Sequence, residues 1–107
     1  MSWTTLCNLS DLQPDKGKYV EVDGYRLAVF LNGSQVYVID DVCPHAGGSL
    51  AAGPVLDGCA VCPWHGWAFK LETGRMNGSE LITIGTYQVR LVPRDDDQLV
   101  QANLPMP

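Results

Sequence analysis

Two short segments, Cys43-Pro44-His45 and Cys62-Pro63-Trp64-His65, constrain this chain more than any other feature of its sequence. Each segment places a thiol close to an imidazole, and 16 residues separate His45 from Cys62. The chain contains only two histidines, and both lie in these segments. Thiolate sulfur and imidazole nitrogen are ligands of zinc and of iron, so we expect the fold to bring the two segments together around a metal.

Two kinds of metal site use these residue types. Structural zinc sites usually space their ligands as C-x2-4-C with H-x3-5-H, not as two Cys/His pairs that are far apart. A two-iron cluster with two sulfides can instead take two Cys on one iron and two His on the other. Neutral imidazoles in place of thiolates remove negative charge, which makes the addition of an electron easier in a low dielectric. The spacing favours the cluster, and a zinc-stabilised interaction module is the alternative.

The size and charge of the chain restrict its function. Its 107 residues predict one domain over residues 1–107, with the metal-binding part at about 41–76. The net charge of -5 argues against nucleic acid and against anionic membrane surfaces as partners. No run of about 18 apolar residues and no signal-peptide pattern is present, which predicts a cytoplasmic protein without a membrane anchor. Cys7 and Cys59 are too few for a disulfide framework.

The turn signals predict an all-β protein. Gly, Pro or Asn interrupts the chain about every ten residues, so no helical period develops. Asp23-Gly24, Asn32-Gly33 and Asp57-Gly58 are strong hairpin signals between β-branched runs. We therefore predict an antiparallel sandwich with strands at residues 18–22, 25–31, 35–40, 54–56, 59–61, 68–71, 86–92 and 99–102, and a frayed tail at 104–107. In the strand at 86–92, Tyr87, Val89 and Leu91 should share one face.

Residues 42–75, VCPHAGGSLAAGPVLDGCAVCPWHGWAFKLETGR, resemble the Rieske 2Fe-2S domain of soluble bacterial ferredoxins and of assimilatory nitrite reductase small subunits. The resemblance implies an antiparallel β-sandwich with a small cluster-binding subdomain, formed by two ligand loops at one tip. It also implies one Rieske-type 2Fe-2S cluster per chain. In this family the ligands would be Cys43 and Cys62 on one iron and His45 and His65 on the other.

The resemblance implies electron transfer. The sequence shows no nucleophile, acid/base pair or nucleotide loop, so we expect the chain not to be an enzyme by itself. The first hypothesis is a ferredoxin that passes electrons from a flavin reductase to a terminal oxygenase. The alternative is a non-catalytic small subunit bound to the large subunit of an NAD(P)H nitrite reductase. Some nitrite reductase small subunits lack the four ligands, so their presence here favours the carrier.

Four positions depart from membrane-bound respiratory Rieske proteins. Those proteins carry an extra Cys in each loop, where this chain has Gly48 and Trp64, so no disulfide should join the loops here. They also carry a Ser and a Tyr where this chain has Trp67 and Phe69. Two hydroxyl donors are therefore missing from the cluster surroundings, which predicts a low reduction potential.

Other residues near the two segments have expected roles. Trp64 and Trp67 should either shield the cluster or pack in the core. Gly47, Gly48 and Gly66 should let backbone amides approach the inorganic sulfides. Asp40 and Asp41 should either rim the first loop and steer docking, or form a solvated strand end, and Cys59 should be a buried strand residue.

Overall fold

The computed structural model describes residues 2–45, 47–79 and 81–105, and within them the chain forms ten β-strands and two short 3-10 turns. The strands are β1 (Ser2–Asn8), β2 (Lys18–Val22), β3 (Tyr25–Asn32), β4 (Gln35–Asp40), β5 (Val55–Leu56), β6 (Cys59–Val61), β7 (Ala68–Lys70), β8 (Thr86–Tyr87), β9 (Val89–Arg94) and β10 (Asp97–Leu104). In these same residues, no helix has the length and hydropathy needed to span a bilayer.

The strands form three antiparallel sheets, which confirms the predicted all-β fold. One sheet has the order β1-β10-β9, a second has the order β2-β3-β4-β8, and the third, smaller sheet has the order β5-β6-β7. The small sheet β5-β6-β7 lies beside the two segments that the sequence predicts to hold the metal.

The central strand β3 is buried on both faces, which explains its uninterrupted apolar run. Successive side chains of a strand point to opposite faces. Leu27 and Val29 therefore pack with β10 in one core, whereas Ala28 and Phe30 pack in a second core. That second core contains residues of the small sheet together with Cys43 and Cys62. Cys43, Cys62 and the small sheet consequently pack directly on the central sheet.

The hairpin signals are largely confirmed. Asp23 and Gly24 have φ values of 51° and 82°, and Asp57 and Gly58 have 51° and 74°, as a type I′ turn requires at both central residues. At the intervening hairpin, Asn32 pairs with Gln35, so the turn is one residue later than expected.

The C-terminal third differs from the prediction. The strand expected at 86–92 divides at Gln88, because β8 pairs with β4 whereas β9 pairs with β10. Val89 and Leu91 share one side of β9, where Leu91 is 37% exposed, whereas Tyr87 lies on β8 in another sheet. Leu104 is 2% exposed and belongs to β10 rather than to a frayed tail, and residues 106–107 lie outside the described part.

Candidate metal centre

The two Cys/His segments lie in two loops that the sheets hold closed. Loop 1, residues 42–49, follows β4 and is closed by a β-bridge between Val42 and Ser49. Loop 2, residues 62–67, joins β6 to β7, where Val61 pairs with Ala68. Each loop is therefore the end of a hairpin-like element, and its ends are fixed by backbone pairing.

The two loops repeat the same internal hydrogen bonds. In loop 1 the Cys43 amide donates to the Gly48 carbonyl (2.9 Å) and the Gly47 amide donates to the Cys43 carbonyl (2.8 Å). In loop 2 the Cys62 amide donates to the Trp67 carbonyl (2.8 Å) and the Gly66 amide to the Cys62 carbonyl (2.9 Å). We number each loop from its Cys as position 1. In both loops the amide of position 1 donates to the carbonyl of position 6, and the amide of position 5 donates to the carbonyl of position 1.

Glycine is required at position 5 of both loops. Gly47 and Gly66 have φ values of 76° and 75°, in the region that side chains with a Cβ rarely adopt. Their amides donate to the Cys43 and Cys62 carbonyls within the loops. The approach of other backbone amides to the sulfides stays a prediction.

The loops place sulfur inside and imidazole outside. Cys43 and Cys62 are each 1% exposed and belong to the second core, beside Phe69. His45 and His65 are exposed, and their rings meet edge to face with centroids 5.0 Å apart. The structure thus brings both predicted imidazoles into contact across the two loops.

Two indoles pack at the junction of the loops. The Trp67 ring stacks on the His45 ring, with centroids 4.0 Å apart and an angle of 5° between the planes. Trp64 is 63% exposed and lies beside Gly48, where an added Cβ would be 3.2 Å from its Cδ2 atom. Trp67 therefore covers His45, a predicted ligand. Gly48 and Trp64, which stand where respiratory Rieske proteins carry the extra Cys, are in contact with each other.

Asp41 anchors loop 1 from inside the protein. Its carboxylate is 4% exposed, and one oxygen accepts hydrogen bonds from the Ser49 hydroxyl (2.9 Å) and the Ala51 amide (2.8 Å). Its amide also donates to the Arg26 carbonyl on β3 (3.0 Å). Both earlier interpretations of Asp41, a steering charge and a solvated strand end, are wrong.

Asp40 also turns inward. Its carboxylate accepts hydrogen bonds from the Gly85 amide (2.8 Å) and from the Tyr87 hydroxyl (2.6 Å). Burial, and then this hydrogen bond, raise the pKa of Tyr87. Asp40 therefore ties the end of β4 to β8 and to the segment that precedes it.

The other two cysteines lie apart from the loops. Cys59 is 6% exposed on β6, which confirms the prediction of a buried strand residue. Cys7 lies on β1, where burial and then the neighbouring Asp11 raise the pKa of its thiol to about 11. Cys7 therefore stays protonated near neutral pH, whereas metal ligation needs the thiolate.

The donor chemistry fits a two-iron cluster. In the described part of the chain, no group of three or more Cys, His, Asp or Glu side chains is arranged to hold a metal ion. A Rieske centre needs only two side chains on each iron, two thiolates for one and two imidazoles for the other. Two buried sulfurs and two exposed imidazoles in contact with each other match that division.

The family is decided by comparison with known sequences. The sequence model of the Rieske 2Fe-2S domain matches residues 2–88. The chain belongs to the Rieske family. It therefore carries a Rieske-type 2Fe-2S cluster, as the two segments predicted.

One class of relative with similar length consists of ferredoxins. Ferredoxin CarAc of Metapseudomonas resinovorans is 37% identical over 92 residues, which cover 83% of this chain and 85% of that protein. A chain of the complex between reduced oxygenase and oxidised ferredoxin in carbazole 1,9a-dioxygenase has a TM-score of 0.78 at 31% identity, covering 94% of this chain and 92% of its own. These relatives confirm an electron-transfer component rather than a catalytic subunit.

A second class of relative has the same fold. A protein of Mycobacterium tuberculosis, described as an NADH-dependent nitrite reductase small subunit, has a TM-score of 0.86 at 25% identity, and the match covers 98% of this chain and 97% of that one. The chain also matches a cholesterol 7-desaturase of Hemicentrotus pulcherrimus at 35% identity, but it spans only 16% of that protein. The Rieske domain thus occurs both in short proteins and as part of long ones.

Proposed function

We propose that Cys43, Cys62, His45 and His65 hold the cluster and that the chain carries one electron at a time from a flavin reductase to a terminal oxygenase. The observation that carries this proposal is the edge-to-face contact of two exposed imidazoles, whose loops each also hold a buried thiol. When bound, the cluster accepts and releases one electron. The exposed imidazole edges are the part of the site that a partner protein can approach.

The surroundings of the site favour a carrier at low potential. Cys43 and Cys62 lie in an apolar core that excludes water, and the stacked Trp67 covers one face of His45. Phe69, at 0% exposure, places an aromatic ring without a hydroxyl in the same core. Few polar groups are therefore present to stabilise the extra negative charge of the reduced state.

The match to the nitrite reductase small subunit over nearly its whole length supports a second candidate, a subunit held by the large subunit of an NAD(P)H nitrite reductase. In both cases we propose one domain over residues 1–107 and a cytoplasmic protein. The match to the ferredoxin subunit of a methanesulfonate monooxygenase, at 32% identity, favours the carrier.

The purified protein should be red-brown and contain two irons and two sulfides per chain. After reduction by dithionite, its EPR spectrum should show an average g value below the free-electron value, because nitrogen ligates one iron and sulfur the other. Metal analysis, sulfide analysis and EPR check this expectation. A colourless protein with one zinc would instead support the zinc-stabilised module.

The midpoint potential should lie near the low end of the range of Rieske centres, which is roughly -150 to +300 mV. A hydrogen bond to a charged acceptor contributes about 1.5 to 3 kcal/mol, so each missing hydroxyl lowers the potential by roughly 60 to 130 mV. Phe69→Tyr should raise the potential while leaving the Trp67 stack in place, and Trp67→Ser with Phe69→Tyr should raise it further. Protein-film voltammetry measures these values, and a wild-type midpoint above about +100 mV would contradict the argument.

Electron transfer to a reductase or oxygenase should slow as salt is added, because a net charge of -5 favours an electrostatically steered encounter. Exposed carboxylates must supply this field, since Asp41 is internal. Asp57 and Glu72 are exposed and line a cleft that reaches Gly66 of loop 2. Asp57→Asn with Glu72→Gln should therefore reduce the salt dependence, whereas Asp96→Asn in a distant exposed turn should change it less.

Stopped-flow measurements between about 0.05 and 0.5 M NaCl test this steering, because the Debye length falls well below 10 Å across that range. A rate that does not change with ionic strength would favour the tightly assembled subunit over the free carrier.

A further inference from the structure

The two ligand loops pack against each other reciprocally. The side chain at position 3 of each loop lies on position 6 of the other loop. In one contact, His45 of loop 1 stacks on Trp67 of loop 2 at 4.0 Å. In the other, Trp64 of loop 2 lies on Gly48 of loop 1, where an added Cβ would be 3.2 Å and 3.3 Å from the indole Cδ2 and Cγ atoms.

Packing, rather than backbone conformation, requires glycine at position 48. The φ value of Gly48 is not in the left-handed region, unlike those of Gly47 and Gly66. A Cβ at Gly48 would instead lie 3.1 Å from Cys62 Sγ, in addition to its close approach to Trp64. At such distances the neighbouring atoms must shift by a few tenths of an ångström, so a side chain here would crowd the contact of loop 1 with both groups.

Burial in the core does not explain the position of Trp64. Its side chain is 63% exposed, although a large aromatic side chain gains stability chiefly from burial. The part that is covered adjoins the buried backbone of Gly48, which in turn adjoins Cys62 Sγ. Trp64 therefore lies between solvent and the place where loop 1 meets the Cys62 sulfur.

We propose that the Trp64–Gly48 contact is a non-covalent clasp that holds loop 2 against loop 1 and keeps water from the Cys62 sulfur. Trp64 is thus a positioning residue, because it would influence the cluster only through the Cys62 sulfur. This inference rests on the proposed role of Cys62 as a ligand. The reciprocal His45–Trp67 stack closes the junction from the other side.

The test follows the visible absorbance of the holoprotein during incubation with a chelator, together with its midpoint potential. Trp64→Ala should bleach about tenfold faster than the wild type, as is common when a residue that supports a metal ligand is removed. Its potential should also move to a more positive value, because water beside the sulfur stabilises the reduced state. Trp64→Phe should restore much of the wild-type behaviour, since a ring still covers Gly48.

Gly48→Ala should also bleach faster, because the methyl group would crowd the indole and the sulfur. In the double variant Gly48→Ala/Trp64→Ala, the increase in bleaching rate should be smaller than the two single effects combined, since the two residues are in contact. Trp3→Ala is the matched control. Trp3 is 36% exposed and lies by the Arg90 guanidinium on another sheet, so its loss should change neither the bleaching rate nor the potential.

The outcomes separate this inference from the proposed function. A Trp64→Ala variant with the wild-type spectrum, bleaching rate and potential would overturn the clasp and leave the proposed function standing. Additive effects of Gly48→Ala and Trp64→Ala would show that they act separately and would also overturn it. A wild-type protein without a Rieske spectrum would instead overturn the proposed function.

Discussion

Replacing Cys62 by alanine should abolish the visible colour of the protein and reduce its iron content to background. Mutation of a residue that only supports a metal ligand lowers metal affinity roughly 10- to 100-fold. Loss of the ligand itself should lower the affinity further. Cys43→Ala, His45→Ala and His65→Ala should have the same effect, because each iron has only two protein ligands. Circular dichroism first verifies that each variant is folded. Its absorbance from the ultraviolet to the red and its iron content then check the result.

Cys59→Ala is the matched control for the cysteine variants. Cys59 and Cys62 are both buried, at 6% and 1% exposure, so each substitution removes a buried sulfur, although only Cys62 belongs to the second core. Cys59→Ala should keep the colour, and Cys7→Ala should keep it as well. If Cys59→Ala bleached the protein and Cys62→Ala did not, the ligand assignment would be wrong.

The accuracy of the sequence-based predictions depends on how local each feature is. The hairpin at Asp23-Gly24 and the one at Asp57-Gly58 were predicted because turn chemistry lies within two residues. Strand β1 was not predicted, because it is defined by pairing with β10, nearly a hundred residues away. The break at Gln88 was missed for a similar reason, since β8 and β9 pair with strands of different sheets.

The same distinction holds at the metal centre. The Cys/His segments predicted the family and the cofactor, because donor atoms and spacing are properties of the sequence. The stack of Trp67 on His45 and the contact of Trp64 with Gly48 join separate loops, so no local pattern reveals them. The internal position of Asp41 was also missed, because a carboxylate before a loop reads as solvated unless its hydrogen-bond partners are known.

Replacing Asp41 by alanine should lower the free energy of unfolding by roughly 3 kcal/mol, because two hydrogen bonds to a buried carboxylate are lost and their donors stay unpaired. For a domain of this size, that loss lowers the Tm by more than roughly 10 °C. Loop 1 should loosen first, since Ser49 and Ala51 lose their common acceptor, so the cluster absorbance should disappear before the β-sheet signal does. Thermal unfolding followed by visible absorbance measures the loss of the cluster, and far-ultraviolet circular dichroism measures the loss of the β-sheet.

Asp41→Asn separates the hydrogen bonds from the charge. Both bonds go to a single oxygen, Oδ1, and an asparagine side chain offers one such acceptor in the same place. Asp41→Asn should therefore lose less than about half of the stability that Asp41→Ala loses. Asp96→Ala, in an exposed turn, should change stability by no more than about 0.5 kcal/mol. If Asp41→Asn were as unstable as Asp41→Ala, the charge of the carboxylate, rather than its position as an acceptor, would hold loop 1 closed.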